Sequence, residues 1–300
     1  MTKPQPIEGL DSTTPLDEAA RRSIETRVGE VRRFEEKLAG AVEPADVHDM
    51  RVASRRLRAA LVLFDRGSGR KRQLAAAHEA VEALGDALGQ VRELHVQLAW
   101  LERELAAASE RDKVGLQALY GERAAKLPRR VERLRAAVGV WRDDGATTVE
   151  TALAALSLRG RLGGHRVRRR LSRRLKDTRR RVAAACKSMD PRTAHKLRIG
   201  AKKLRYVAEL AAPAFPDDIG ALVDRLESVQ EILGELHDAD VHVPIVEKFL
   251  VRADALSQPG ALVLLRNELA NRDEQAAALG DALKALREDR VLESLRDALC

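Results

Sequence analysis

Apolar positions recur every three to four residues along most of this chain, and they nowhere alternate over the length of a strand. That rhythm predicts helices from end to end. A polar, proline-containing lead of residues 1–14 is expected to be loose. Thr13 or Thr14 with Pro15 then makes a helix start, and the helical pattern runs to about Ala41. Pro44-Ala45-Asp46 opens a second helix, which Gly67-Ser68-Gly69 ends. Helical patterning resumes from about Lys71 to Ala107, and again from about Glu110 to Val140 with an interruption at Pro128. Gly145 and the weakly patterned stretch Thr147–Leu162 read as a connection, closed by Gly163-Gly164. A very basic helix follows over about His165 to Lys187. Asp190-Pro191 starts the next one, and Pro213 and Pro216 end it. Helix resumes from about Asp217, and Pro259-Gly260 separates it from a last helical stretch over about Ala261 to Leu299.

Two of these helices share a pattern. PADVHDMRVASRRLRAALVLF begins at Pro44 and DPRTAHKLRIGAKKLRYVAEL at Asp190. Without a gap, His48 aligns with His195, Arg51 with Arg198, Arg55 with Lys202, Arg56 with Lys203 and Arg58 with Arg205. On a helix, His48, Arg51, Arg55 and Arg58 fall within about 80° of one another. Met50, Ala53, Leu57, Leu61 and Phe64 take the opposite, core-facing side. The second copy sorts the same way: His195, Arg198, Lys202 and Arg205, with Tyr206 at the edge, lie opposite Leu197, Ala201, Leu204 and Ala208. A stripe of like charge costs about 0.2–0.5 kcal/mol per i,i+4 pair. Building that cost twice at one spacing points to an anionic partner or to internal carboxylates.

A second pair of blocks repeats in the same order. Leu88-Gly89-Gln90-Val91-Arg92-Glu93 matches Leu233-Gly234-Glu235-Leu236-His237-Asp238, and Val96 then meets Val241. The pattern therefore reads as an internal duplication, with repeats over about 15–144 and 160–299. Each has room for about four helices, so two antiparallel four-helix bundles are the natural architecture.

Composition sharpens this. The chain is 45% hydrophobic but 3% aromatic, and its apolar residues are mainly Ala, Leu and Val, as suits long packed helices. The net charge of +8 hides a concentration: Arg159–Arg205 holds 19 basic residues and two acids, while the remainder is net acidic. That is the footprint of a polyanion binder. Two cysteines make no disulfide framework or metal spacing. The N-terminus lacks a signal-peptide pattern and no apolar run is long enough for a membrane span, so a cytoplasmic setting is expected.

The two histidine-led runs, HDMRVASRRLR from His48 and HKLRIGAKKLRY from His195, together with the two LG blocks, resemble the CHAD family, an α-helical domain named for its histidines. The resemblance covers residues 15–299. It implies an all-α fold of two four-helix bundles related by an internal pseudo-two-fold axis, with a basic channel between them. It also implies binding of inorganic polyphosphate, association with polyphosphate granules and, with no triphosphate-tunnel domain in the sequence, no enzymatic activity. Carried over by position, the expected polyphosphate contacts are His48, Arg51, Arg55, Arg58, His195, Arg198, Lys202, Arg205 and Tyr206. Lys203 is counted with them, although it and Arg56 lie about 80° off their histidines and suit packing or ion pairs as well. The helix before the second motif adds Arg166, Arg169, Arg170, Arg173, Lys176 and Arg180, which fall within about 120° on one face. Its first-half counterpart, through Arg21, Arg32 and Arg33, is less basic, so the channel is expected to be asymmetric.

No cofactor and no metal are called for. His237, Asp238, Asp240 and His242 cluster in sequence, but so much neighbouring positive charge disfavours a cation. There is no phosphate-binding GxxxxGK[ST] loop and no nucleophile with a base. Arginine suits phosphate by its fork geometry and permanent charge, and protonated His48 or His195 would tighten binding toward acidic pH. Few aromatic rings argue against a single-stranded nucleic-acid groove. From the residues alone, a nucleic-acid or nucleoid binder and a helical scaffold for an acidic protein stay open beside polyphosphate, as does the oligomeric state.

Overall fold

The computed structural model describes residues 4–65, 74–288 and 291–299; Gly67-Ser68-Gly69, the expected end of the first motif helix, lies outside them. Among the described residues the chain is helical, with no strand. In order come α1 (Leu16–Arg32), the short α2 (Glu35–Ala39), α3 (Pro44–Phe64), α4 (Ala75–Ala107), α5 (Glu110–Ala124), α6 (Leu127–Val140), a π-turn (Trp141–Gly145) and α7 (Ala146–Ala154). Then follow α8 (His165–Ala185), α9 (Pro191–Ala211), a 3-10 turn (Ala212–Ala214), α10 (Pro216–Leu250), α11 (Gln258–Glu288) and α12 (Val291–Leu299).

Local chemistry starts these helices where the sequence says. Asp190 caps α9 by accepting from Thr193 N at 2.9 Å, with Pro191 in the first turn. Pro44 likewise sits in the first turn of α3, though the N-cap there, Glu43, makes no side-chain cap. Ser109 caps α5 through Asp112 N. Pro244 sits inside α10, which continues past it for six more residues.

Two sets of helices gather around the apolar stripes. α3 packs between α1 and α4, and α4 packs on α6 and α7, with α7 returning to α1. α9 packs between α8 and α10, α10 carries α11 and α12, and α12 returns to α8. The expected inner faces are buried: Met50, Ala53, Leu57, Leu61 and Phe64 on α3, and Leu197, Ala201, Leu204 and Ala208 on α9. α3 and α9 also touch each other, so each motif helix is covered on more than its apolar stripe.

A smaller core joins the far ends of the long helices. Trp100 and Leu101 of α4, Leu116 and Leu119 of α5, Val246 and Phe249 of α10, and Ala261 and Leu264 of α11 pack together. α5 and α11 come so close here that a Cβ on Gly115 would collide with the carbonyl of Ser257, and one on Gly260 with the carbonyl of Asp112. Only glycine permits that backbone approach.

Several boundaries differ from expectation. The first helix does not run unbroken to Ala41; it stops at Arg32 and restarts as α2. The break assigned to Pro128 falls at residues 125–126 instead, because proline fits the first turn of α6. The weakly patterned connection is largely helix: α7 buries Val149 against the first set. Ser12 and Thr14, read as part of a loose lead, are hydrogen-bonded to the chain at 160–163, with Gly163 N donating to Ser12 O and Leu162 N to Thr14 O, each at 2.9 Å. No helix among the described residues is long and apolar enough to cross a membrane.

Candidate anion-binding site

The seam where α3 meets α9 has two sides of opposite character. On one side every cation meets acid. Arg205 is buried and donates to Glu227 at 2.7 Å, with Glu209 at 3.5 Å. Arg56 lies 3.8 Å from Glu209. Arg27 and Glu30 of α1 pair at 2.5 Å behind them. Burial raises the Glu209 carboxyl above its ordinary range, against the pull of Arg205 and Arg56. This is an internal ion network.

The other side is cationic with almost no acid. Arg51 lies against α4, where Nη1 donates to Gly85 O at 2.9 Å. Its guanidinium rests on Gly89: a Cβ there would come within 2.5 Å of Nη1. Beside it stand Arg55, then Arg198 and Lys202 of α9, near enough for their charges to act on one another. Among the described residues, Arg55, Arg92, Arg198 and Lys202 make no hydrogen bond or ion pair with a protein group, and Arg198 Nε is buried without a partner. Asp238 of α10 is the acid whose charge reaches Arg198, Lys202 and Arg92. Burial raises its pKa in spite of those cations.

The electrostatics follow. Arg51 is pushed down to about 10, first by burial and then by Arg55 and Arg198. Lys202 falls to about 6, by burial and then by Arg198, Arg55 and Arg51. His237 is pushed down to about 4, by burial and then by Arg198. Burial and Arg92 lower His48 too. Holding like charges out of water without partners is costly, and such expense concentrates at functional sites.

The expected contacts divide accordingly. His48, Arg51, Arg55, His195, Arg198 and Lys202 share the cationic side, with His195 5.1 Å from the His237 ring and the Tyr206 phenol near Arg51 and Arg198. Arg205 does not join them: its exposure is 1% and its charge is spent on carboxylates. Tyr206 is itself buried, with the Arg205 guanidinium 5.1 Å from its ring. Arg58 is exposed and ion-paired to Glu82 of α4. Lys203 is exposed and faces Arg174 and Arg58, at the α8 side of α9.

The α8 arginines also split. Arg166 donates to the carbonyl of Asp65 at 2.9 Å, and Arg170 donates to those of Val62 and Asp65, so both cap the C-terminus of α3. Arg169 and Arg173, together with Arg166 and Arg170, line a basic cleft of about 630 Å³ with Arg159, Arg161 and His165. Lys176 is exposed, and Arg180 pairs with Asp177 at 3.1 Å.

Sequence reasoning missed Arg92 and His237 as members of the cationic side. The repeated LG blocks were the available signal, since Arg92 and His237 occupy matching places in them. The other residues of the metal-like cluster go elsewhere: His242 stacks on Trp100 at 3.8 Å and meets Glu268 at 3.3 Å, and Asp240 accepts from Arg272 at 2.7 Å. Among the described residues no three metal-ligating side chains converge.

The family model described as the CHAD domain matches residues 22–247. The chain belongs to the CHAD family. CHAD domains are known in general for binding polyphosphate and are generally non-catalytic. The crystal structure of the CHAD domain from the plant Ricinus communis superposes with a TM-score of 0.71 at 23% identity, covering 95% of this chain and 96% of that one. PptA from Streptomyces chartreusis gives 0.65 at 14% identity, covering 90% of this chain and 100% of that one. At these identities the likeness is one of fold. No curated protein matches.

Proposed function

We propose that this CHAD protein binds inorganic polyphosphate, without catalysis, along the uncompensated cations at the α3–α9 seam. One observation carries the reading: of the two sides of that seam, one pairs its arginines with Glu209 and Glu227, and the other leaves Arg55, Arg198 and Lys202 without a protein partner. A linear polyanion supplies what the second side lacks. Arg51, Arg55, Arg92 and Arg198 are the principal contacts, with His48, His195 and Lys202 around them. Arg169 and Arg173 extend the basic path at the α8 cleft.

In this reading the two helix sets are pseudo-two-fold-related repeats, about 15–144 and 160–299, and the row lines a channel between them. The channel is more basic on the second-half side. The site suits a polymer of bare phosphates better than a nucleic acid. The row offers no open aromatic platform for bases: Tyr206 is buried, Trp100 stacks on His242, and Trp141 is buried with Nε1 donating to Glu35. Phosphoryl transfer leans on metal ions held by carboxylates, and among the described residues no three metal-ligating side chains converge. Granule association in the cytoplasm fits such a binder.

Calorimetric titration with long-chain polyphosphate at about 150 mM salt tests this, with single-stranded DNA in parallel. Tight polyphosphate binding, at least tenfold weaker in Arg51→Ala/Arg198→Ala, with DNA much weaker, is expected. Equal binding of both polymers means a non-specific basic surface. No polyphosphate binding leaves a scaffold for an acidic protein.

A further inference from the structure

The basic cleft at the start of α8 is built differently from the seam row. Arg159 and Arg161 line it from the loop before α8, and Arg166, Arg169, Arg170 and Arg173 line it from one face of the helix. Six arginines and His165 thus surround about 630 Å³, and no carboxylate is in the lining. Arg166 and Arg170 direct donors to the carbonyls of Val62 and Asp65. Arg159, Arg161, Arg169 and Arg173 make no hydrogen bond or ion pair among the described residues. The loop is fixed in place. Gly163 N donates to Ser12 O and Leu162 N to Thr14 O, each at 2.9 Å. Between the two loop arginines, Gly160 turns the chain at a φ of +110°, where a side chain would be strained.

The row, by contrast, is a track. Arg51 and Arg55 follow α3, Arg198 and Lys202 follow α9, and the charge of Asp238 reaches the α9 pair. Track and cleft are joined. Asp65, whose carbonyl takes Arg166 and Arg170, lies about 15 Å beyond Arg55 along α3. Arg58, Lys203 and Arg174 stand between, close enough for their charges to act on one another, and Arg174 acts in turn on Arg170.

A linear phosphate chain presents two kinds of group. An interior phosphate carries one negative charge and has chain on both sides. A terminal phosphate resembles a phosphomonoester: its second proton leaves near about pH 6, so at neutral pH it carries about two charges on three outer oxygens. It has chain on one side only. A track suits the first kind, and guanidinium forks gathered around one volume suit the second.

We propose that the α8 cleft receives the terminal phosphate of a phosphate chain and anchors polyphosphate by its end, while the seam row holds interior phosphates. The assignment rests on the polyphosphate reading and adds a direction to it, with the chain running from the cleft along α3 to the row. Arg159 and Arg161 make the difference, since a track that simply continued along α8 would not need them.

The test titrates the full chain with polyphosphate long enough to span row and cleft, and with the same polymer whose two ends are blocked as phosphoramidates. Wild type is expected to bind the free-ended chain about fivefold more tightly, the worth of two exposed ion pairs. Arg159→Ala/Arg161→Ala should bind both chains alike, with the affinity wild type has for the blocked one. Both side chains are exposed and without a protein partner, so the variant should melt as wild type does. Equal affinity of wild type for the two chains overturns the proposal, and a preference that survives in the variant overturns the cleft as its seat. Pyrophosphate has two ends and no interior. It should bind the variant about fivefold more weakly than wild type, and equal affinity overturns the proposal whatever the longer chains do. Failure of the polyphosphate reading looks different: neither long chain binds wild type, while pyrophosphate still tells wild type from the variant.

Discussion

The guanidinium of Arg51 lies on the one face of α4 that has no side chain to obstruct it, over Gly89, where an added Cβ would meet Nη1 at 2.5 Å. The contact explains a glycine in mid-helix, where it otherwise costs about 1 kcal/mol relative to alanine. It also separates binding from stability. In Gly89→Ala the end of the arginine is the part that yields. Thermal stability is expected to hold or rise by up to about 1 kcal/mol, while polyphosphate affinity falls about five- to tenfold, a loss of roughly 1–1.4 kcal/mol. A melting curve and a titration on one sample check both.

Gly115 and Gly260 predict the reverse. Their absent side chains let two backbones touch, and backbone cannot swing aside. Gly115→Ala should cost about 1–3 kcal/mol through overpacking, read as a lower urea midpoint. Polyphosphate affinity of the folded fraction should be unchanged, because the α5–α11 crossing lies in the separate distal core.

Arg205 and Arg198 sit one helical side apart and should behave as opposites. Arg205→Met removes the ion-pair partner of Glu227 and leaves buried Glu209 only the more distant Arg56, and should cost about 3 kcal/mol. Arg198→Ala removes a cation that makes no hydrogen bond or ion pair among the described residues and whose nearest acid is Asp238, so stability should change little while polyphosphate binding weakens. Chemical denaturation of both variants separates these outcomes.

Binding should consume a proton. Lys202 titrates at about 6 in the free protein, and a polyanion beside it raises that value. Between about pH 6 and the ordinary lysine range, association therefore takes up protons and affinity falls as pH rises. Calorimetry in two buffers of different ionisation enthalpy measures the uptake, which Lys202→Met should reduce, most clearly above about pH 7.5. Without ligand the linkage runs the other way. The folded value lies below the unfolded one, so the unfolded chain binds more protons in that window and stability rises with pH. Lys202→Met should therefore stabilise the free protein at neutral pH. His237, already down to about 4, contributes no proton uptake near neutrality.

Salt should weaken binding steeply. With about six phosphates engaged, the log–log slope is near −4, or about 300-fold between 50 and 200 mM salt. Removing Arg51 should flatten it by about 0.7. A titration series across salt concentrations gives the slope directly.

The sequence made the helical fold and its apolar faces legible because both follow from local periodicity. Met50, Leu57 and Leu204 are buried as their spacing requires. Helix joints were less legible: α7 is short and weakly patterned, and packing against α4 and α1 holds it rather than any strong local signal. The cationic stripe was legible as a stripe, but which of its members stay uncompensated was not. Arg205 continues the i, i+3, i+7, i+10 pattern from His195, yet Glu227, 22 residues away on another helix, claims it. Arg166 and Arg170 are claimed by carbonyls more than 100 residues upstream. Partnership across that distance depends on how helices cross, which no spacing rule encodes.

Those two arginines also set an order of events during synthesis. The last carbonyls of α3 that they cap leave the ribosome about 100 residues before their donors do. At roughly 5–20 residues per second, that is an interval of about 5–20 seconds. Through it the nascent first half carries an uncapped helix end and a cationic face with α9 not yet made. The arrival of α8, which brings Arg166 and Arg170, is the step that caps that helix end.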